Sequence, residues 1–374
     1  MQTRDATYRL LLVSSLSLLA ACGQATDDAA ADGPDAPVQQ ERHVGKEPRT
    51  GFGFVASEFL PIDEVEAALP LLARHDLDVE LAWPATEIDN PRWYDVVRAA
   101  GAQGVQVQPW LTLSDAEGYF ANSTNATLFA ETLRRLAQRW LDEGIRPSIV
   151  HIDMEMPITR AREFMKVVAS ADVDALTAFM RAGIDRQQYA QATDVYRELV
   201  DWLHAQGFKV EVNVLPLVLD DYADGDDGLR QALQVPVDGI AWDHYAFQLH
   251  RTLVRYSFGE VAGPHNGYYV YNYARRAHAQ FGDRAVVYLG LTDPGIAPEV
   301  PVYTGPDELR EDVDAALLAG VSRDKIAIFS LRGLVHQPDP EQWFPPASRL
   351  LVPPLPDTAT ALTRASSLLL DSAL

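Results

Sequence analysis

From Gly51 onward the chain repeats one unit: a short apolar, β-branched run ending in polar or aromatic residues, followed by a segment of helical period. Eight such runs occur, at 51–57, 79–85, 105–113, 149–157, 209–219, 239–247, 285–293 and 326–334. Between them lie segments such as 127–142, where Leu128, Phe129, Leu133, Leu136 and Trp140 recur at helical spacing, and 193–205, which Gly207 ends. Strands alternating with helices build a parallel sheet, and eight units suit its closure into an α/β fold, the (β/α)8 TIM barrel. An open doubly wound sheet is the competitor, but no Gly-x-Gly-x-x-Gly turn follows the first run. Runs 51–57 and 326–334 should therefore pair. The long connection 158–192 predicts a helical insertion after strand 4, at the end of the barrel where such folds carry their sites.

The interior of a barrel this size is ordinarily filled by Val, Ile and Leu. Here every second residue of strands three to six is polar or aromatic: Gln106, Gln108 and Trp110; His151, Asp153 and Glu155; Glu211 and Asn213; Asp243 and Tyr245. Side chains alternate faces, so each set shares one face, while Val105 and Val107, Val150, Ile152 and Met154, and Val210, Val212 and Val214 suit the helix-covered face. An unpaired buried polar group costs roughly 1–3 kcal/mol, so such a set is either a satisfied hydrogen-bond network or a working site. Asp153 and Glu155 lie about 6–7 Å apart at their backbones, close enough for their side chains to share a proton. Sharing raises one pKa and leaves a carboxylic acid able to donate near neutral pH. Glu155 is the expected general acid and Asp153 its supporting carboxylate, just before Met156-Pro157, where the proline interrupts the ladder.

At His151-Ile152-Asp153-Met154-Glu155 the sequence resembles the glycoside hydrolase barrels, most nearly the chitinase-like family 18, whose fourth strand ends in Asp-x-x-Asp-x-Asp-x-Glu. The resemblance implies Glu155 as catalytic acid and Asp153 as the carboxylate that orients the substrate; Ser148 and His151 stand where the family has its other two aspartates. The family's sixth-strand Met-x-Tyr-Asp corresponds to Ile240-Ala241-Trp242-Asp243, which implies a catalytic place for Asp243 and puts Trp242 where a tyrosine meets the N-acetyl carbonyl. A conventional pair of carboxylates could be Glu155 with Asp293 or with Asp243; a separation of about 5 Å would mean retention and about 6.5–9.5 Å inversion. Flat aromatic faces stack on sugar rings. The candidates are Trp83, Trp110, Trp242, Tyr245 and Phe247 near strand ends, and Tyr119 and Phe120 after strand three. His151, Gln108, Asn213 and Arg332, the last in phase with Ser330 on strand eight, complete the expected substrate contacts.

The amino terminus is a different kind of sequence. Arg4 and Arg9 precede the apolar run 11–21, which ends at Cys22, the single cysteine of the chain. A basic segment, a short apolar run and small residues before the cut form a secretory signal. Leu19-Ala20-Ala21-Cys22 resembles a bacterial lipobox, and the resemblance implies cleavage before Cys22 and lipid attachment there. The run is too short to span the ~30 Å hydrocarbon core as a helix. Residues 22–48, rich in Ala, Asp, Gln, Pro and Gly, bury too little to offset ordering and read as a flexible linker. The expected organisation is a signal peptide at 1–21, this linker, and a barrel domain with a C-terminal extension over 49–374. The chain would then face periplasm or exterior, touching membrane through its lipid alone.

The formal charge of −22 becomes −23 without residues 1–21, which carry Arg4, Arg9 and Asp5. So acidic a chain repels nucleic acid and anionic surfaces. The expected partner is a carbohydrate or cell-wall glycan, with no cofactor. A metal-dependent hydrolase built on His151, Asp153, Glu155, Asp243 and His244 is an alternative, though no His-x-His or His-Glu-x-x-His spacing occurs. The acidic stretch 220–228 lacks EF-hand spacing and reads as a solvated turn. No Gly-x-Ser-x-Gly elbow points to a serine hydrolase. A catalytically silent barrel that binds glycans or serves as an envelope scaffold is the alternative from a different class.

Overall fold

The structure is a computed structural model and describes residues 53–170, 172–258, 267–295 and 299–344, together with Arg364. The signal, Cys22, the linker and nearly all of the C-terminal extension lie outside the described residues. Eight parallel strands close in chain order: β1 (Phe54–Ala56), β2 (Asp78–Pro84), β3 (Val107–Thr112), β4 (Ile149–Asp153), β5 (Lys209–Val214), β6 (His244–Leu249), β7 (Ala285–Gly290) and β8 (Ile326–Phe329). Phe54 pairs with Ala327 and Ala56 with Phe329, so the first and last strands close the (β/α)8 barrel.

Helices α1 (Ile62–Arg74), α2 (Pro91–Ala102) and α3 (Ala126–Asp142) follow the first three strands in turn. Three helices, α4 (Ile158–Ser170), α5 (Val173–Arg181) and α6 (Arg186–Ala205), separate β4 from β5. After β5 come α7 (Val218–Asp224) and α8 (Gly228–Leu233); after β6, α9 (Arg251–Phe258) and α10 (Gly267–Phe281); after β7, α11 (Pro306–Leu318); after β8, α12 (Leu331–Val335).

Local chemistry sets the boundaries. Asn90 caps α2 by accepting from the Arg92 amide, with Pro91 at the first helical position, where no amide donor is needed. Helix α3 buries Phe129, Leu133, Leu136 and Trp140, the helical stripe visible in the sequence. Helix α6 begins at Arg186, seven residues before the expected 193, because Asp185 caps it by accepting from the Gln188 amide. It ends before Gly207, whose φ of 86° suits glycine. The acidic stretch after β5 is not simply a solvated turn. Asp221 is buried and accepts from the Leu229 and Arg230 amides, and Asp220 pairs with Arg276 at 2.6 Å.

The barrel has two cores. Outward residues of the strands, among them Val150, Ile152, Val210 and Val212, pack with the helices into the main hydrophobic core. Inside the barrel a small separate cluster holds Phe54, Ala246, Val286, Tyr288 and Ala327, contributed by β1, β6, β7 and β8. The remainder of the interior is polar: Glu80, Gln108, His151, Asp153, Glu211, Asn213 and Gln248 are all buried. One strand departs from the expected register. β6 runs from His244 to Leu249, not 239–247, because the preceding residues form a turn in which Trp242 donates from its amide to Ile240 and from its indole to Val237.

Candidate active site

The C-terminal end of β4 is held by the loop after β3. The Ala121 amide donates to the Asp153 carbonyl and the Glu155 amide to the Ala121 carbonyl, each at 3.0 Å. This short bridge extends the sheet edge by two residues and carries Glu155 into the mouth, where it is half-buried. From β6 the Gln248 amide reaches both acids, donating to Asp153 Oδ1 at 3.3 Å and to Glu155 Oε1. Burial pushes the Glu155 carboxyl up to about 7, against the smaller opposing effect of the Gln248 hydrogen bond. Asp153 is also raised, by burial first and then by the nearby Glu155, Glu58 and Glu80 carboxylates.

Around these acids stands a rim from other strand ends. Glu58, after β1, is 3% exposed with no donor at Oε1, and burial pushes it up to about 8 despite a hydrogen bond from Tyr119. Asp293, after β7, takes both arms of Arg332, with Nε at 2.8 Å from Oδ2. The Arg332 guanidinium lies 5.3 Å from the Phe59 ring centre, and Phe59 stacks on Tyr119 with centroids 6.4 Å apart and planes 14° apart. Phe59 and Tyr119 have φ of 61° and 63°, left-handed conformations that bulky residues adopt only under constraint. Trp110 packs with Phe120 and Ile158 and sets its edge against His151.

A second cluster fills the barrel beneath. His151 Nδ1 is 3.1 Å from Glu211 Oε1 and 3.7 Å from Glu80 Oε1. The Tyr288 hydroxyl lies 3.2 Å from His151 Nδ1 and 3.2 Å from Glu211 Oε1 and also bonds Glu80. His244 approaches the other Glu211 oxygen at 3.4 Å and meets Lys325 Nζ at 2.9 Å. Burial alone would raise Glu211, but hydrogen bonds and charge from His151 and His244 hold it down to about 2. Glu80 is driven the other way, to about 7, by burial, partly offset by the His151 charge. Burial lowers His151, and the charges of Glu80 and Glu211 more than reverse this.

The sequence-predicted residues thus fall into three groups. Glu155 and Asp153 meet at the mouth. Gln108, His151, Asn213 and Trp110 lie inside the barrel but are 1–4% exposed, so they are buried walls or floor instead of open contact surface. Arg332 reaches the rim from α12, because β8 stops at Phe329, and it is committed to Asp293. The third group is corrected. Asp243 sits at the N-terminal end of β6, where Oδ2 accepts from the Val210 amide and contacts His204 Nε2, both at 2.8 Å. Trp242 is buried in the turn before it, and Tyr245 stacks on Phe281 of α10 outside the barrel, centroids 4.1 Å apart. The inward phase of β6 is His244, Ala246 and Gln248, one residue out of step with the expected Asp243 and Tyr245. Trp83 and Phe247 are likewise helix-facing core. Sequence reasoning missed Glu58, Phe59, Glu80, Gln248 and Tyr288. Glu80 between Val79 and Leu81 was the readable signal, an acid flanked on both sides by apolar strand residues.

No protein-family model matches the sequence, and no curated protein matches it. Solved structures with a similar chain trace include sugar-processing barrels. The chitinase from Chromobacterium violaceum is 12% identical, with 85% of this chain and 99% of that chain covered and a TM-score of 0.44. The PgaB (BpsB) glycoside hydrolase domain from Bordetella bronchiseptica is 13% identical, covering 78% and 97%, with a TM-score of 0.43. The D-allulose 3-epimerase from Methylomonas sp. is 14% identical, covering 75% and 85%, with a TM-score of 0.40. Likeness at this level says nothing about which reaction the site performs.

Proposed function

We propose that this protein is a carbohydrate-active enzyme that hydrolyses glycosidic bonds, with Glu155 as general acid and Asp153 as its supporting carboxylate. The observation that carries the reading is Glu155 itself: half-buried at the C-terminal mouth, anchored by Gln248, with its carboxyl at about 7. A general acid works best when its pKa lies near the operating pH. Asp153 shares the Gln248 amide and so fixes the carboxyl orientation of its neighbour. Asp243 takes no part in this proposal. Asp293, at the end of β7 and oriented by Arg332, takes the place of the second carboxylate. The stacked Phe59 and Tyr119 give a partly exposed aromatic surface against which a sugar ring can lie.

The test is turnover on a panel of aryl glycosides and cell-wall polysaccharides with the full-length chain in detergent. Glu155→Gln should lower turnover by a factor on the order of 10²–10⁴ and leave glycan affinity intact. Full activity in the folded variant would end the proposal, and glycan binding without turnover in the wild type would favour a silent binding module. The chain is further proposed to be a lipoprotein held at a bacterial membrane by Cys22. The lipobox-like run supports this, and among the described residues no helix is long and apolar enough to cross a membrane. Cys22→Ser should release the protein from the membrane fraction; detergent-sensitive retention of the variant would contradict it.

A further inference from the structure

The cluster beneath the mouth has the geometry of a cation site. Glu80 of β2, His151 of β4 and Glu211 of β5 each bring one ligand atom to within 4.8 Å of the others, and all three are buried. The separations from His151 Nδ1, 3.1 Å to Glu211 and 3.7 Å to Glu80, are close to the spacing of neighbouring donors around one ion. At bond lengths of about 2.0–2.2 Å, adjacent ligands of a tetrahedral or octahedral shell stand roughly 3.0–3.5 Å apart. Tyr288 adds a fourth ligand atom, its hydroxyl oxygen, 3.2 Å from both His151 Nδ1 and Glu211 Oε1.

A second observation is independent of these distances. Glu80 Oε2, Gln108 Oε1 and Asn213 Oδ1 are buried acceptors with no hydrogen-bond donor, and Glu211 Oε2 has only His244 at 3.4 Å. Gln108 is the register partner of Glu80, and Asn213 lies two residues beyond Glu211 on the same strand face. Donors that face the cluster include the Tyr288 hydroxyl, the His151 and His244 rings and, behind His244, Lys325. Three buried acceptors thus lie without a donor beside the cluster, a deficit that a cation relieves.

We propose that Glu80, His151 and Glu211, with Tyr288 beside them, are the ligand set of a divalent transition-metal site inside the barrel. One imidazole nitrogen with two carboxylates selects an ion of the zinc or manganese kind over magnesium or calcium, which prefer all-oxygen shells. Such an ion ties β2, β4 and β5 together below the mouth. The site stands apart from the glycosidase reading, since it uses neither Glu155 nor Asp153.

The experiment strips the full-length chain with a chelator, then titrates it with ZnCl2 and, separately, MnCl2, counting bound metal by elemental analysis. One ion per chain and a raised Tm are expected. Glu80→Gln and Glu211→Gln should each weaken binding by at least the roughly 10–100-fold that loss of even an outer-shell partner costs. No uptake of either ion by the folded wild type, or equal uptake by the Glu80→Gln/Glu211→Gln double variant, overturns the proposal. Should the variants fail to fold, anomalous scattering from zinc-loaded wild-type crystals decides. A peak between His151 Nδ1, Glu80 and Glu211 supports the site; a peak only elsewhere, or none, overturns it.

Discussion

Glu211 and Glu155 project into the same barrel from neighbouring strands, and their environments drive them in opposite directions. Burial acts on both. At Glu211 two imidazoles oppose it and hold the carboxyl down to about 2; at Glu155 the counterweight is one neutral amide, and the carboxyl rises to about 7. The difference lies in where the nitrogen partners are. His151, His244 and Lys325 are gathered low in the barrel, whereas Arg332 at the rim is bound to Asp293. A carboxylate with imidazoles at hydrogen-bond distance stays ionised and holds structure; one desolvated without such partners keeps its proton and can deliver it.

This contrast can be broken by substitution, and the largest effect belongs to the mouth. Glu155→Gln should cost on the order of 10²–10⁴ in turnover, while Asp243→Asn, at the far end of β6, should leave turnover unchanged. An equal loss in both variants, measured side by side, would erase the distinction between the two ends of the barrel. In the lower cluster the effect should be on stability. Glu211→Ala leaves His151 and His244 without their carboxylate, which should lower the unfolding free energy by about 3–5 kcal/mol in urea titrations. A change below about 1 kcal/mol would mean that the network carries little.

A pH-dependent effect concerns the rim. Glu58 is driven from the ordinary 4.5 to about 8 by burial, opposed by Tyr119 and Arg332 and reinforced by Glu155 and Asp293. The folded state therefore holds a proton that the unfolded chain releases between those values. Its stabilisation is complete below about pH 4.5 and is lost as the pH rises through about 8, at a slope of up to about 1.4 kcal/mol per pH unit. Glu58→Gln should flatten this part of the stability profile, and an unchanged slope in thermal melts across pH 5–8 would contradict the assignment.

The barrel was legible because its signal is repeated: each strand contributes apolar residues to a helix-covered face, and eight repeats outweigh errors at any one boundary. The site was legible only where strand phase could be read without ambiguity. On β4 an apolar residue separates each of His151, Asp153 and Glu155 from the next, so the alternation is clean. On β6 the stretch Trp242-Asp243-His244-Tyr245 offers polar or aromatic residues in both phases, and nothing local shows that the strand starts at His244. That one-residue slip moved Asp243 and Tyr245 out of the barrel and hid Gln248, the amide that joins the two acids. Glu58 and Phe59 lie just past a three-residue strand, and their convergence with Tyr119 and Arg332 depends on closure of β1 on β8, a long-range fact that no local pattern carries.

In the resting protein Glu155 should hold a proton near neutral pH. Site-resolved carboxyl NMR, with the Glu155 signal assigned by its disappearance in Glu155→Gln, measures this directly. The expected midpoint is about 7. A midpoint in the ordinary glutamate range near 4.5 would mean that Glu155 is ionised at neutral pH, and its role as general acid would fall.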